Sequence, residues 1–446
     1  MAKLSEGENR FPTEDGGNET RHWQSAIDAA SSSGGGVVRI PAGRHMVAQL
    51  YLRSNVELHL SEGAVLEGIV GIENYPRIDL PYSEGTWSAI VFAYGVTNVA
   101  VTGRGEIFGK GAEWPFPSRS YPGCQEGLRA RGLFFGDCCG VRLQDFSLKD
   151  AASWGIVFKR SRQILARKVK VDSHAHLNND GFDIEASNVL IEDCDVDTGD
   201  DAICIKSNDP NFVVSNVVVR GCVARSHSNA LKIGTASHGT VRGIRFEQCR
   251  TEAPRREFIA GIPNEDWRSY AAPRRHPRCP FGDGHGAINV ECVDGGSVSD
   301  VVFDDIEVDG FAVPIFIRGG RRLSRKCGIP PGRQYVLRDV IIRNVRGRAT
   351  SRNASTVTGV TACLPKNVLL QNVDILCFDG ELDSRAVSTP GCEFDAEYPE
   401  ATMFSEIRLP AYGLYVGPGA EVCCDNVRFT RPVSAREDRP AIVGCR

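Results

Sequence analysis

The stretch SNVLIEDCDVDTGDDAICIKSNDPNFVVSNVVVRGCVA, residues 187–224, holds one full period of a repeat. Its two ends, SNVLIEDCDV (187–196) and SNVVVRGCVA (215–224), share a Ser-Asn turn, an alternating β-branched run and a cysteine at the same point. Alternation with a period of two marks a strand buried on one side, not a helix. Between them DAICI (201–205) reads as a second short strand, opened by the adjacent acids Asp200 and Asp201.

The same form recurs outward in both directions, as SNVELHL (54–60), TNVAVTG (97–103), CGVRLQDF (139–146), RQILARKVKV (162–171), RGIRFEQC (242–249), SDVVFDDIEV (299–308), RDVIIRNV (338–345) and KNVLLQNVDI (366–375). From Val141 the equivalent positions fall at Ile164, Val189, Val217 and Ile244, steps of roughly 23 to 28 residues, which is the range of solenoid repeats. The segments joining successive strands are too short for a crossover helix, so the strands must stack by coiling. The expected fold is all-β: a single-stranded, right-handed parallel β-helix. TRHWQSAIDAASSS (20–33) is the one clear helical candidate, with Trp23, Ala26, Ile27 and Ala30 on one face and glycines 34–36 ending it. It would cap the open end of the coil, where unpaired strand edges need cover. The organisation expected is a short N-terminal extension (1–20) and one β-helix domain (21–446), with inserted loops near 110–130 and 252–286. A chain of 446 residues is long for one compact core, but a solenoid grows along one axis and escapes that limit.

A formal net charge of −4 gives no electrostatic case for a nucleic acid or an anionic membrane as partner. No apolar run is long enough to span a bilayer, and the opening MAKLSEGENRF lacks a signal-peptide core. Sixteen cysteines are many for a cytosolic chain, and two N-x-[ST] sequons (Asn18, Asn353) agree with a secreted or otherwise extracytoplasmic protein. Cys194, Cys222 and Cys249 recur at one repeat position and read as buried small apolar residues. Cys124, Cys279, Cys327, Cys363, Cys392 and Cys445 lie in irregular stretches and could be bridged in pairings the sequence does not give. No Cys/His spacing suggests zinc, and no metal or cofactor is expected.

Aligning the short strands DGFDI (180–184), DAICI (201–205), NALKI (229–233) and GAINV (286–290) puts Phe182, Ile203, Leu231 and Ile288 in one inward column. Ile184, Ile205, Ile233 and Val290 form a second, and the residues between point outward. Asp180, Asp201 and Asn229 then open their strands in one column, with Asp200 beside it. Singly, such acids are ordinary turn formers. Three carboxylates gathered at one-coil spacing repel each other and raise at least one pKa. A protonated carboxyl beside an ionised one is what glycosidic cleavage uses, as acid for the leaving oxygen and base for water.

These residues carry a family likeness. NNDGFD (178–183) and GDDAICIK (199–206) resemble the N-T-D-G and D-D motifs of glycoside hydrolase family 28, the polygalacturonase-like enzymes. GGGVVRIPAGRHMVAQLYLRSNVELHLSEGAVLEG (34–68) is similar to that family's entry coils. VTGRGEIFGKG (101–111) resembles its T-G-x-G-x-I-D-G segment, with Phe108 where Asp is usual. The likeness runs from about Gly34 to PIFIRGG (314–320), and YPEATMFSEIRLPAYGLYV (398–416) looks like the tail of a bacterial branch. The resemblance implies an inverting hydrolase of an acidic or decorated, pectin-like plant or algal polysaccharide. By it Asp200 is the general acid, Asp180 and Asp201 hold and deprotonate the attacking water, and Asn178 shapes the site.

The chain departs from the family at its third and fourth motifs. SNALKIGT (228–235) puts Asn229 in place of a histidine and Lys232 in place of a serine. GAINVEC (286–292) puts Asn289 and Glu291 where a basic pair grips the substrate carboxylate, so an acid stands at a clamp position. Lys232 could meet an anionic group of substrate or pair with Asp183. His285 falls near the column of Asp200 and is a candidate site residue; His174, His176, His227 and His238 are weaker ones. Arg318 shares the column of Glu291, as substrate contact or structural ion pair. The substrate-binding candidates are thus Asn178, Asn229, Lys232, His285, Asn289, Glu291 and Arg318. The inserted loops carry Trp114, Phe116, Tyr121, Trp267 and Tyr270, suited either to sugar stacking or to packing on the coil, and could close the groove for exo-action.

Two other readings compete. A β-helix polysaccharide lyase would use the acids at 180, 200 and 201 for Ca²⁺. A non-catalytic glycan-binding β-helix would have no turnover to lose. Fold alone does not choose among the three.

Overall fold

The computed structural model describes residues 17–115, 128–256, 284–323, 334–377, 386–389, 407–433 and 437–445. The chain divides into two compact units between Asp200 and Asp201.

In the first unit each coil contributes a strand to three parallel ladders, the arrangement of a parallel β-helix. One ladder aligns Val38, Leu58, Val101, Leu143, Ala166 and Ile191. A second aligns Leu66, Ile107, Leu148, Val171 and Val196. The third aligns Leu50, Val91, Leu133, Ile156 and Phe182. These side chains are buried. Each such Val, Leu, Ile or Phe contributes about 1.5–3 kcal/mol relative to exposure. The sequence needs this stacking because a single coil cannot cover its own apolar face.

The turn residues that mark the repeat have a backbone reason. Asn55, Asn98, Gly140, Gln163 and Asn188 all sit at positive φ, between 55° and 77°. That left-handed conformation is open to Gly and favoured by Asn among ordinary residues, so it selects the Asn before each strand. The Asn98 side chain also donates to Asn55 Oδ1 at 3.0 Å, one coil away.

The helix spans Thr20–Ser32, as the sequence leads one to expect. Trp23, Gln24 and Ile27 are buried, whereas Ala26 and Ala30 are only half-buried. Gln24 works as an edge cap. Its Oε1 accepts from Tyr51 N at 2.8 Å and its Nε2 donates to Tyr51 O at 3.1 Å. Thr20 Oγ1 accepts from Ala48 N at 2.8 Å. Three backbone groups of the first coil, Ala48 N, Tyr51 N and Tyr51 O, are thereby satisfied by helix side chains.

On the outer side of the third ladder, Phe92, Phe134 and Val157 form a column that is also buried. Leu80, Trp87 and Trp154 pack over it. The Arg131 guanidinium lies 4.0 Å from the Trp87 ring centre and 5.2 Å from that of Trp154.

The second unit repeats the architecture. Val217, Ile244, Val301, Val340, Val368 and Val422 stack in register. In the neighbouring column the rings of Phe246 and Phe303 stack face to face at 4.6 Å. The inward columns expected from the sequence are present within this unit, Ile203, Leu231 and Ile288, then Ile205, Ile233 and Val290, and the structure extends them by Ile315 and Ile317. Asn216, Gly243, Asp300, Asp339 and Asn367 hold the positive-φ turn. Cys222 and Cys249 here, like Cys194 in the first unit, are buried and unbridged. Cys445 is bridged to Cys424, whereas Cys363 is a buried free thiol. Cys124, Cys279, Cys327 and Cys392 lie outside the described residues, as do residues 116–127 and 257–283 of the two inserted loops.

Candidate active site

The first unit places Asn178, Asp180 and Asp200 together. Asp180 and Gly181 continue the third ladder: Gly155 N donates to Asp180 O at 2.7 Å and Ile156 N to Gly181 O at 2.9 Å. A side chain at Gly155 would come within 2.9 Å of both carbonyl oxygens, so glycine is what lets this backbone approach. Two positions before the paired Ile156 and Phe182 stand Trp154 and Asp180, which puts the Trp87–Trp154–Arg131 cover one coil before Asp180.

Asp180 is buried and Asp200 half-buried, and a carboxylate oxygen of one lies within 4.8 Å of a carboxylate oxygen of the other. Thr198 Oγ1 donates to Asp200 O at 2.6 Å and fixes the turn that presents Asp200. Asn178, at φ 53°, donates from Nδ2 to Asp200 Oδ2 at 3.4 Å. Sequence reasoning missed a residue behind it. Arg129, fully buried, reaches Asn178 Oδ1 with Nη2 at 3.2 Å. It stands outside the repeat in an irregular stretch, and no motif marks it.

Two of the weaker histidine candidates resolve here. His174 Nε2 lies 2.8 Å from Asp197 Oδ1, both buried. His176 is buried against Arg129. Burial, with the Arg129 charge adding to it, pushes the His176 pKa well below the usual imidazole range, so the ring is neutral.

The second unit opens with Asp201, whose carboxylate is engaged on both oxygens. Asn229 Nδ2 donates to Oδ1 at 2.7 Å and Lys232 Nζ lies 3.0 Å from Oδ2. Ser228 Oγ donates to Oδ1 at 3.4 Å. Burial opposes ionisation, but the charges of Lys232 and Lys206 and these donors more than offset it, and the Asp201 pKa is held below the ordinary carboxylate value. Behind it Asn289 Nδ2 donates to Asn229 Oδ1, and Lys232 Nζ lies 3.7 Å from Glu291 Oε2. Glu291 is in register with Arg318.

The residues chosen as substrate contacts thus separate by exposure. Asn229, Lys232, Asn289, Glu291 and Arg318 are all buried. Alternation does turn them away from the inner core, but they form a polar network instead of an open face. Lys232 pairs with Asp201 and with Glu291. Asn178, Asp200, Ser228 and His285 keep partial exposure. His285 stands beside Ser228, with its N–H on Ser228 O at 2.8 Å. His227 is also partly exposed, with Nε2 2.8 Å from Arg256 O, and His238 is buried with Nδ1 3.7 Å from Asp294. Trp114 resolves toward packing: it is buried, donates to Gly109 O at 3.2 Å and rests on Tyr75. Phe116, Tyr121, Trp267 and Tyr270 lie outside the described residues.

Comparison with known proteins follows the motifs. Residues 37–253 match the family described as glycosyl hydrolases family 28. A probable polygalacturonase of Vitis vinifera is 26% identical over 249 residues, covering 51% of this chain and 50% of that protein. A probable polygalacturonase of Arabidopsis thaliana is 23% identical over 324 residues, covering 71% and 64%. The chain therefore spans half to just under two thirds of the length of these relatives. Among solved structures, the hyperthermoactive exopolygalacturonase from Thermotoga maritima aligns with a TM-score of 0.56 at 20% identity, covering 81% of this chain and 84% of that one. The family 28 exopolygalacturonase of Yersinia enterocolitica aligns with a TM-score of 0.62 at 16% identity, covering 95% and 74%. At such identities these two show the fold, a right-handed parallel β-helix. The family match over residues 37–253, the curated relatives and the shared fold together support a polygalacturonase-like protein of glycosyl hydrolase family 28.

Proposed function

We propose that this chain hydrolyses glycosidic bonds in a pectin-like acidic or decorated polysaccharide by inverting acid/base catalysis, within a single β-helix domain from residue 21 to 446. Asp200 is the general acid, and Asp180 with Asp201 holds and deprotonates the water. The observation that carries the reading is the close pairing of the Asp180 and Asp200 carboxylates, followed directly in the chain by an Asp201 held ionised. One carboxyl with partial exposure can keep a proton for the leaving oxygen, while the buried, cation-paired one stays a base. The polygalacturonase names of the relatives support a pectic substrate and favour hydrolysis over lyase action or bare glycan binding. They also support action outside the cytoplasm, and among the described residues no helix is long and apolar enough to cross a membrane.

The Asp180–Asp200 separation is shorter than the roughly 6.5–9.5 Å usual for an inverting pair that admits water between acid and base. In this proposal the water is shared by Asp180 and Asp201, so inversion does not require that spacing. Proton NMR of the first-formed anomer decides it: retention of configuration overturns the mechanism. Incubation of wild type and Asp200→Asn with defined pectic oligosaccharides tests the activity itself. New reducing ends are expected from the wild type alone, and an unsaturated product absorbing in the ultraviolet would mean a lyase.

An exo mode is favoured by the Trp87–Trp154–Arg131 cover. In an open cleft, the sheet face one coil before Asp180 would offer further sugar subsites; here Leu80 and the two tryptophans fill it. Release of one small product from the chain end is expected, and a ladder of mid-chain fragments would remove this part of the proposal.

A further inference from the structure

The Arg129 guanidinium is buried among acceptors. The two N–H groups of Nη1 are shared among Ala152 O at 2.6 Å, Leu177 O and His176 Nδ1 at 2.8 Å; Nη2 donates to Asn178 Oδ1 at 3.2 Å. Arginine has only donors, so each partner atom must accept. This fixes two assignments. His176 Nδ1, which also accepts from Leu177 N at 2.8 Å, carries no proton, and the ring proton sits on Nε2, facing Pro115 O at 3.1 Å. The Asn178 amide has its oxygen toward Arg129 and therefore its NH₂ toward Asp200 Oδ2, 3.4 Å away. Without Arg129 nothing in this chemistry forbids the flipped amide, which would present an acceptor to the carboxyl.

We propose that Arg129 is a positioning residue that acts through Asn178 to decide which oxygen of Asp200 carries the proton. An NH₂ donor on Oδ2 favours a bare Oδ2, so in the protonated acid the hydrogen resides on Oδ1. From there it passes to the glycosidic oxygen. That oxygen takes the electron pair of its breaking bond to the anomeric carbon, water forms the new bond, and the water's proton goes to the base. A flipped amide would instead accept the Asp200 proton and hold it away from the leaving group. His176 completes the mount: neutral, it accepts from Arg129 and, through Pro115 O, ties the segment from Ala175 to Asn178 to the start of the inserted loop. Asn178 is a left-handed residue, which that anchoring holds in place.

The inference rests on Asp200 being the general acid, and the experiment separates the two. Wild type, Asp200→Asn, Arg129→Met, Arg129→Lys, Asn178→Ala and the double variant Arg129→Met/Asn178→Ala are assayed on oligogalacturonides, with thermal melts for folding. Asp200→Asn tests the reading: turnover equal to wild type refutes that reading and the Arg129 proposal with it, whereas loss of turnover leaves the Arg129 variants to decide the proposal on their own. Given an inactive Asp200→Asn, Arg129→Met is expected to lower kcat roughly 10- to 100-fold, as small displacements of a reacting group do, with KM changed less than about three-fold. Arg129→Lys, which keeps a donor, should recover part of the loss. In the Asn178→Ala background, removing Arg129 should cost less than about a further two-fold. Multiplying losses, or a normal kcat in a folded Arg129→Met, overturn the proposal. If Arg129→Met fails to fold, Arg129→Lys in the two backgrounds gives the same cycle.

Discussion

Lys232 Nζ lies 3.0 Å from Asp201 Oδ2 and 3.7 Å from Glu291 Oε2, with all three side chains buried. One ammonium thus serves two carboxylates. Lys232→Met would remove this shared cation and weaken the hold on the charged form of Asp201, on which the charge of Lys206 still acts. A loss of about 3–5 kcal/mol is expected, the usual cost of breaking a buried pair, read as a lower denaturation midpoint. The pH dependence follows with its sign. Asp201 is held below the ordinary carboxylate pKa, so in the proposed base role it would stay ionised as the pH falls. Losing Lys232 raises that pKa, and the acidic limb of kcat/KM moves to higher pH. A limb that stays put in a folded variant would remove Asp201 from the base role.

Gly155 allows the Asp180 backbone to sit in the ladder. In Gly155→Ala the new methyl would lie 2.9 Å from Asp180 O and Gly181 O, and these are backbone atoms that cannot swing aside. Overpacking of this sort costs about 1–3 kcal/mol. Because the displaced group is Asp180 itself, kcat should fall by about 100-fold, out of proportion to the change in melting temperature. Steady-state kinetics beside a thermal melt measures both.

Glu437 gives the second unit an acid limit. It pairs with Arg439 at 2.7 Å and Arg352 at 3.5 Å, and its pKa, though burial raises it, is pulled down by Arg439 and Arg352 to about 2. Its folded pKa lies below its unfolded one. The stabilisation is therefore complete above about pH 4.5, near the ordinary Glu value, and is lost as the pH falls toward 2. Denaturation midpoints of Glu437→Gln should lie below wild type at pH 7 and converge with it near pH 2. Parallel curves across that window would contradict the assignment.

The Cys424–Cys445 bridge closes a loop with a sequence separation of 21 residues. Cys445→Ser should cost about 3 kcal/mol, chiefly by freeing the unfolded chain. Wild type under reducing conditions should show the same denaturation midpoint as the variant.

The repeat was legible because a parallel β-helix writes its geometry into the chain. In-register neighbours are one coil apart, so inward columns recur at coil spacing, and the left-handed turn selects Asn, Asp or Gly at one point of each coil. Ile203, Leu231 and Ile288 could be aligned on that basis alone, and the helix at Thr20–Ser32 by its own period. The pairing of Lys232 and the burial of Glu291 and Arg318 were not legible. Alternation says only that a side chain leaves the inner core, not whether other segments cover it. Arg129 was less legible still. It reaches Asn178 across 49 residues from an irregular stretch, and such contacts follow loop paths that have no period.

The sequence by itself determined the coil, its inward columns and its end cap. Local backbone preference and the side-chain period of two are sufficient for those. Tertiary structure alone decided which long polar side chains meet: Lys232 with Asp201 and Glu291, and Arg129 with Asn178. The physical reason is that buried donors and acceptors must be satisfied, and their partners come from whichever coil or loop the fold brings within reach.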